Sequence, residues 1–288
     1  MSEGYSYRKS LKSDLSDEPI NIYLLRPLAG LVVKALYNTS VTPNQVTVAA
    51  TFVGVVSAIL YSLNLPLTTL LAGFTLTLKD LLDSADGQLA RAKGVYSRAG
   101  RFLDSIGDFL VNVMVFAAIT WALASSEPLA LTLVLGILGF FGISLRVSYH
   151  VFYHTAFLHT RSLYQENRLT EEIRDKDHAG DRFTLRLQSL YLILYGWQDS
   201  VMMKLDRWCR GERHKPGRED ERWYGDTLGL RFTGLMGMGT ELFVLTLCSL
   251  ANQLMFYFYL NLFLMNSIWL GSIVYRRFTL GQRLRTES

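Results

Sequence analysis

The chain has 288 residues, 50% of them hydrophobic, and a mean hydropathy of +0.19, which is high for a soluble domain of this size and points to a membrane protein. A net charge of +4 and a pI near 9.0 do not argue for a nucleic-acid partner, because basic cytoplasmic loops give a membrane protein the same balance. The two cysteines, Cys209 in a charged loop and Cys248 in an apolar run, exclude a disulfide framework.

The opening stretch MSEGYSYRKSLKSDLSDEP has no apolar h-region, so no cleaved signal peptide is expected. Next, INIYLLRPLAGLVVKALYNTS is apolar on one face but is interrupted by Arg26 and Lys34. It reads as an interfacial amphipathic helix rather than a span. In TPNQVT, Thr42 is an N-cap, Pro43 fits the first helical position and Gln45 completes a capping box. A helix is therefore predicted to start there, with Asn44 in its first turn.

Six apolar segments follow, near 45–64, 66–83, 104–124, 128–149, 232–252 and 254–274. Each is long enough to cross a bilayer, which takes roughly 20 residues. The second and third are expected to continue as helix beyond the hydrocarbon. The loops near 65, 125–127 and 251–254 hold no Lys or Arg, whereas 15 of the 29 basic residues fall between Arg146 and Arg231. The positive-inside rule then puts both termini, and the connection between the second and third spans, in the cytoplasm. Residues 1–41 are read as a cytoplasmic N-terminus with the interfacial helix, and 42–150 as spans one to four. Residues 151–231 form a cytoplasmic insertion, and 232–288 the last two spans and a basic tail. Within the insertion, a polar run from Glu166 to Arg182 precedes FTLRLQSLYLILYGWQDSVMMKLDRW, which is expected along the membrane surface. CRGERHKPGREDERWYGD is expected as a loop. The expected architecture is all-α and integral to a membrane, the inner membrane of a cell.

Between the second and third spans stands DSADGQLARAKGVYSRAGRFLDSIGDF. At 100° per residue, Asp83, Asp86, Ala90 and Arg91 share one narrow arc, and Ser97, Gly100, Asp104 and Asp108 share another. Two facing stripes with two carboxylates each can converge on one point. Like charges that close repel unless cations sit between them, and carboxylate oxygens are what hard divalent cations choose. The set suits a pair of Mg²⁺ or Mn²⁺ ions about 4 Å apart, an arrangement that clamps transferring phosphoryl groups. Gly87 and Ala90 leave one helix face bare for a base or phosphate, Gly100 does so opposite, and Arg91 stands one turn away as a bidentate phosphate ligand. The bland alternative, solvated helix-end acids, fits poorly because carboxylates at a membrane border are costly.

The same stretch resembles the CDP-alcohol phosphotransferase family, whose signature D-x2-D-G-x2-A-R-x8-G-x3-D-x3-D it matches at all eight fixed positions. TPNQVT likewise resembles the family's N-x-V-T at the start of its first transmembrane helix. The resemblance covers about 42–150; the later spans agree only in number, and the 151–231 insertion departs from the short loops of compact members. It implies a six-helix membrane enzyme in which an alcohol displaces CMP from a CDP-alcohol. Carried over by position, Asp83, Asp86 and Asp104 would hold one metal ion and Asp83, Asp104 and Asp108 a second. Asp108 would also be the catalytic general base. Gly87, Ala90, Arg91, Ser97 and the Asn44–Thr47 segment would bind the CDP moiety.

The donor is expected to be CDP-diacylglycerol and the acceptor a small polar alcohol such as glycerol phosphate, inositol phosphate or serine, with a homodimer as the working unit. A CDP-linked headgroup moving to a lipid alcohol is the alternative. Two other classes fit less well. Membrane prenyltransferases use aspartate motifs far apart in the chain, whereas these four lie within 26 residues. A cation transporter favours discontinuous helices and midplane sites.

Other residues stay open. Arg146 binds an anionic acceptor or simply snorkels to the interface. Glu241 is functional or makes a packing or dimer contact, and Gly234, Gly237 and Gly239 beside it favour close helix packing. His150 and His154, at i and i+4, suit a metal but show no third ligand nearby.

Overall fold

The computed structural model describes residues 5–11, 17–161, 171–173, 181–211 and 218–286, and these form helices and connections with no strand among them. A π-helical turn at Asn21–Leu25 runs into α1 (Arg26–Leu36). After it come α2 (Pro43–Ser62), α3 (Pro66–Lys93), α4 (Arg98–Leu123) and α5 (Leu129–Thr160). The insertion contributes α6 (Arg182–Arg210) and α7 (Arg218–Tyr224). A bent pair, α8 (Thr227–Gly234) and α9 (Met238–Leu250), then leads to α10 (Leu254–Arg283), which contains π-helical turns.

Local chemistry fixes the ends that matter. Thr42 Oγ1 accepts from the Gln45 amide at 3.3 Å and Gln45 Oε1 accepts from the Thr42 amide at 2.9 Å, so the capping box starts α2 as the sequence predicts. The 28 residues of α3 make it about 42 Å long at 1.5 Å per residue, so its last turns extend past a hydrocarbon core of about 30 Å. Gly94 ends it at φ +67°, a left-handed position that glycine adopts without steric cost, and its amide reaches the Ala90 and Arg91 carbonyls. Ser97 then caps α4 by accepting from the Gly100 amide at 2.9 Å. Ser97 is thus the cap rather than the first member of the helical stripe. The short link turns the chain into α4, and α2 packs against both α3 and α4.

Among the described residues, four helices, α2, α4, α5 and α10, are long and apolar enough to cross a membrane, and α8 with α9, bent by 41°, makes a fifth if the pair is one span. The expected second span lies on α3, which carries Lys79, Asp80 and Asp83 where a span would be apolar. Length and composition therefore support four to five crossings where six were expected. The main core joins Tyr61, Leu76, Phe116, Ile119, Leu245 and Phe258 from α2, α3, α4, α9 and α10. A smaller cluster packs Ala29 and Val33 of α1 against Val46, Ala85 and Leu89, while Tyr23, Leu28 and Leu31 remain exposed on the outer face.

The insertion is more structured than its sequence suggests. α6 packs along α4 and α5. The C-terminal half of the expected loop forms α7, because Trp223 is fully buried and needs a partner for its indole N–H. Asp206 supplies it, accepting from Trp223 Nε1 at 2.9 Å, Tyr153 Oη at 3.0 Å and Tyr224 Oη at 3.2 Å. Much of the polar run from Glu166 to Arg182 lies outside the described residues.

Candidate active site

The hairpin of α3 and α4 brings the carboxylates together. One ligand oxygen each from Asp83, Asp104 and Asp108 lies within 4.8 Å of the others. Asp86 stands beside them, its Oδ2 accepting from Thr47 Oγ1 of α2 at 2.5 Å. Asp104 Oδ1 is buried and makes no hydrogen bond among the described residues. A buried acceptor left without a donor, next to two further carboxylates, is a donor set suited to a hard divalent cation. The four aspartates therefore fit a divalent metal, and Asp83, Asp104 and Asp108 are the three already close enough to share one.

Lys79, which the motif does not include, enters the same cluster. Its Nζ pairs closely with Asp108 and lies 3.7 Å from Asp83, and its side chain is 3% exposed. The sequence carried a signal for it, since Lys79 sits one turn before Asp83 on the same stripe of α3. Asp108 is thus held from α3 by a cation, while Asp83 bridges Lys79 and the other acids.

The cluster opens into a cavity of about 680 Å³. Asp86, Asp104 and Asp108 line it, and so do all six residues expected to bind a CDP moiety: Asn44, Thr47, Gly87, Ala90, Arg91 and Ser97. A Cβ built on Gly100 would press into the Asn44 side chain, with Cγ at 3.4 Å, so glycine there lets α4 approach the start of α2. The Arg91 guanidinium lies over Gly87, where an added Cβ would be 3.4 Å from Nη1, and its Nε donates to the Ser10 carbonyl at 2.6 Å.

A further wall comes from α5 and α6, including Ser144, Ser148, Tyr195 and Asp199. Tyr195 Oη donates to the Ser105 carbonyl at 2.8 Å, locking α6 against α4 beside the acids. The sequence alone did not single out this wall, because nothing local says that an insertion helix turns back onto the site.

Arg146, expected as a tentative acceptor ligand, does not line the cavity. It is fully buried, with Nε 2.5 Å from Glu241 Oε1 and Nη1 bonded to Asn266 Oδ1 at 2.5 Å and the Asn261 carbonyl at 3.2 Å. An arginine facing the bundle needs a counter-charge, and Glu241 in the first turn of α9 provides it. The structure also brings Asp17 and Glu18 within 4.8 Å of His150, whose ring stacks on His154 at 5.6 Å. Both acids have structural partners there. Asp17 pairs with Arg26, and Glu18 accepts from the Thr240 amide at 2.7 Å at the start of α9. Gly237 and Gly239 leave the room into which Glu18 fits.

A family model described as CDP-alcohol phosphatidyltransferase matches residues 40–202. A protein of Thermococcus kodakarensis named bifunctional IPC transferase and DIPP synthase is 36% identical over 117 residues, 41% of this chain and 25% of that protein. A protein of the same name from Archaeoglobus fulgidus is 32% identical over 111 residues, 38% of this chain and 22% of its own length. The archaetidylinositol phosphate synthase of Pyrococcus horikoshii is 35% identical over 86 residues, 30% of this chain and 44% of that protein. The chain thus spans less than half the length of each of these curated relatives.

Proposed function

Because this chain belongs to the CDP-alcohol phosphatidyltransferase family, whose model covers residues 40–202, we propose that it transfers the phosphatidyl group of CDP-diacylglycerol to a small polar alcohol and releases CMP. The observation that carries the reading is the unsatisfied Asp104 oxygen among converging carboxylates, at the wall of a cavity lined also by the six expected nucleotide residues.

Two divalent cations, Mg²⁺ or Mn²⁺, would be held by Asp83, Asp86 and Asp104 and by Asp83, Asp104 and Asp108. When bound they would polarise the phosphoryl oxygens and stabilise CMP as it departs. The chain's own residues do the rest. Asn44, Thr47 and Ser97 hold the nucleotide against the bare face at Gly87 and Ala90, and Arg91 binds a phosphate oxygen. Asp108 accepts the acceptor's hydroxyl proton. The freed oxygen bonds to the phosphorus that carries the lipid, and the P–O bond to CMP breaks with its electron pair leaving on CMP. Thr47 fixes Asp86 by the 2.5 Å hydrogen bond, and Lys79 fixes Asp108, so neither acid needs to reorganise during the reaction.

In the same reading the chain crosses the membrane six times, with α3 as the second crossing and the bent α8–α9 pair within the fifth, and α1 lies in the interface. The termini, the site and the 151–231 insertion face the cytoplasm, and the protein works as a homodimer. The test is CMP release from CDP-diacylglycerol in mixed micelles with a panel of alcohols. Activity is expected to vanish on chelation, return with Mg²⁺ or Mn²⁺, and be lost in Asp104→Asn. Undiminished turnover by Asp104→Asn in a metal-buffered assay would sink the reading.

A further inference from the structure

The acceptor's chemical class is written on the wall built by α5 and α6. The residues suited to the nucleotide all come from α2, α3 and the start of α4, while α5 and α6 contribute a different part of the lining. A displacement at phosphorus places nucleophile and leaving group in line. The acceptor therefore approaches from the other side, where α5 and α6 close the cavity.

Among the described residues, that side offers no cation for a phosphate that is not already facing an acid. Among the described residues lining the cavity, the basic ones are Arg91, Arg98 and Arg101. Arg91 stands with the nucleotide residues. Arg98 and Arg101 both point to the buried Glu171, the first at 3.7 Å and the second in a closer pair, and Arg101 also lies over the Phe102 ring at 4.9 Å. Arg146, on α5 itself, turns away to Glu241. What the wall does present is Asp199, a half-buried carboxylate that lines the cavity and makes no hydrogen bond or ion pair among the described residues. Burial and the neighbouring Glu171 push its carboxyl up to about 6. Aromatic rings stand beside it: Tyr191 stacks on Tyr195 at 5.0 Å, and Phe109 meets Tyr195 edge-on at 5.9 Å.

A phosphorylated alcohol would bring a second anion against Asp199 and Glu171, where, among the described residues, the neighbouring guanidiniums of Arg98 and Arg101 already face Glu171. Phosphate subsites use the reverse pattern, a bidentate arginine or a helix N-terminus. Ser144, Ser148 and Asp199 instead lie well inside their helices.

We infer that the acceptor is a non-phosphorylated alcohol whose remaining groups are hydrogen-bond donors, hydroxyls or an ammonium, and that Asp199 is the residue that selects it. The inference rests on the transferase reading above and deepens it. An O–H or N–H of the acceptor donates to Asp199 while its reacting hydroxyl faces Asp108. The aromatic faces suit the C–H surface of a polyol ring or a cationic nitrogen.

The experiment follows CMP release by the full chain in mixed micelles of CDP-diacylglycerol. Glycerol, myo-inositol and ethanolamine are offered on one side, and glycerol 3-phosphate and inositol 1-phosphate on the other. The wild type is expected to favour the first group at least about tenfold in kcat/KM. Asp199→Asn is expected to raise the acceptor KM about tenfold or more, as loss of a hydrogen bond to a charged group does, with the KM for CDP-diacylglycerol unchanged. A larger loss for ethanolamine than for the polyols identifies an ammonium partner, and an equal loss identifies a polyol. Asp199→Lys is expected to narrow the discrimination against phosphorylated acceptors. A wild type that turns over glycerol 3-phosphate or inositol 1-phosphate fastest overturns the inference and leaves the transferase reading standing. CMP release with none of the five removes that reading and the inference together.

Discussion

Replacing Asp108 by Asn separates the base from its neighbours, and the structure sets the expected size of the effect. The change removes the proposed proton acceptor but keeps the shape of the side chain. Loss of a general base costs roughly 10²- to 10⁴-fold in kcat, or about 3–5 kcal/mol of barrier. The structural cost is a separate matter. Lys79, with its side chain 3% exposed, loses its close partner and keeps Asp83 at 3.7 Å. At an effective dielectric constant of about 20, a unit pair at that distance still attracts by roughly 4 kcal/mol. The lysine is therefore not stranded, and the loss of stability should stay below the roughly 3–5 kcal/mol of a buried charge left alone. The assay has three arms: CMP release at saturating donor, donor binding by calorimetry, and thermal unfolding in detergent. A companion variant carrying Lys79→Met with Asp108→Asn should recover stability without recovering rate. Asp108→Asn that keeps more than about a tenth of wild-type kcat would refute the base assignment. A variant that loses donor binding as fully as Asp83→Asn would reassign Asp108 as chiefly a metal ligand.

Arg91→Lys should raise the KM for the CDP substrate about tenfold, since an ammonium cannot make a bidentate contact; equal nucleotide affinity by calorimetry would remove Arg91 as a phosphate ligand. Gly100→Ala should displace Asn44 and weaken donor binding severalfold with little change in melting temperature, so an unchanged donor Kd would show that Asn44 does not need its present place. Glu241→Gln should destabilise the fold by about 3–5 kcal/mol because Arg146 is then buried without a counter-charge, and Arg146→Met with Glu241→Leu should recover most of that; additive losses in the double variant would show that the pair is not coupled. With Cys209 and Cys248 replaced, Ser126→Cys should react with a membrane-impermeant thiol reagent from outside the cell, and labelling only from the cytoplasmic side would break the six-crossing arrangement.

What the sequence revealed divides along the range of the interactions involved. The capping box at Thr42 and the two carboxylate stripes depend on residues within a few turns, so helical periodicity alone locates them. Arg146 and Glu241 were each visible as charges in apolar runs, but their pairing spans 95 residues and has no local signature. The same holds for Glu18, which looks like part of a polar tail and is in fact buried at the start of α9, 222 residues away. The helix at Arg218–Tyr224 was hidden for a related reason. REDERWY is polar by composition, and only the Asp206 carboxylate from a different helix makes burial of Trp223 favourable. The wall from α5 and α6 belongs to this group too, since Asp199 reaches the cavity only because α6 lies against α4.

The Arg146–Glu241 pair also imposes an order on biosynthesis. A lone charge costs about 2.5–3.5 kcal/mol to insert at the centre of a span and less toward its ends, and each of these two is the other's counter-charge. Yet 95 residues separate them, which at about 5–20 residues per second leaves α5 waiting some 5–20 s on the ribosome for its partner. During that interval an arginine must be sheltered at the edge of the translocation channel or by the phosphate layer. α5 can settle into its final depth only after α9 emerges. The ion pair thus ties α5 to a late helix, and the core shared by α2, α3 and α4 with α9 and α10 closes only once those helices are in place.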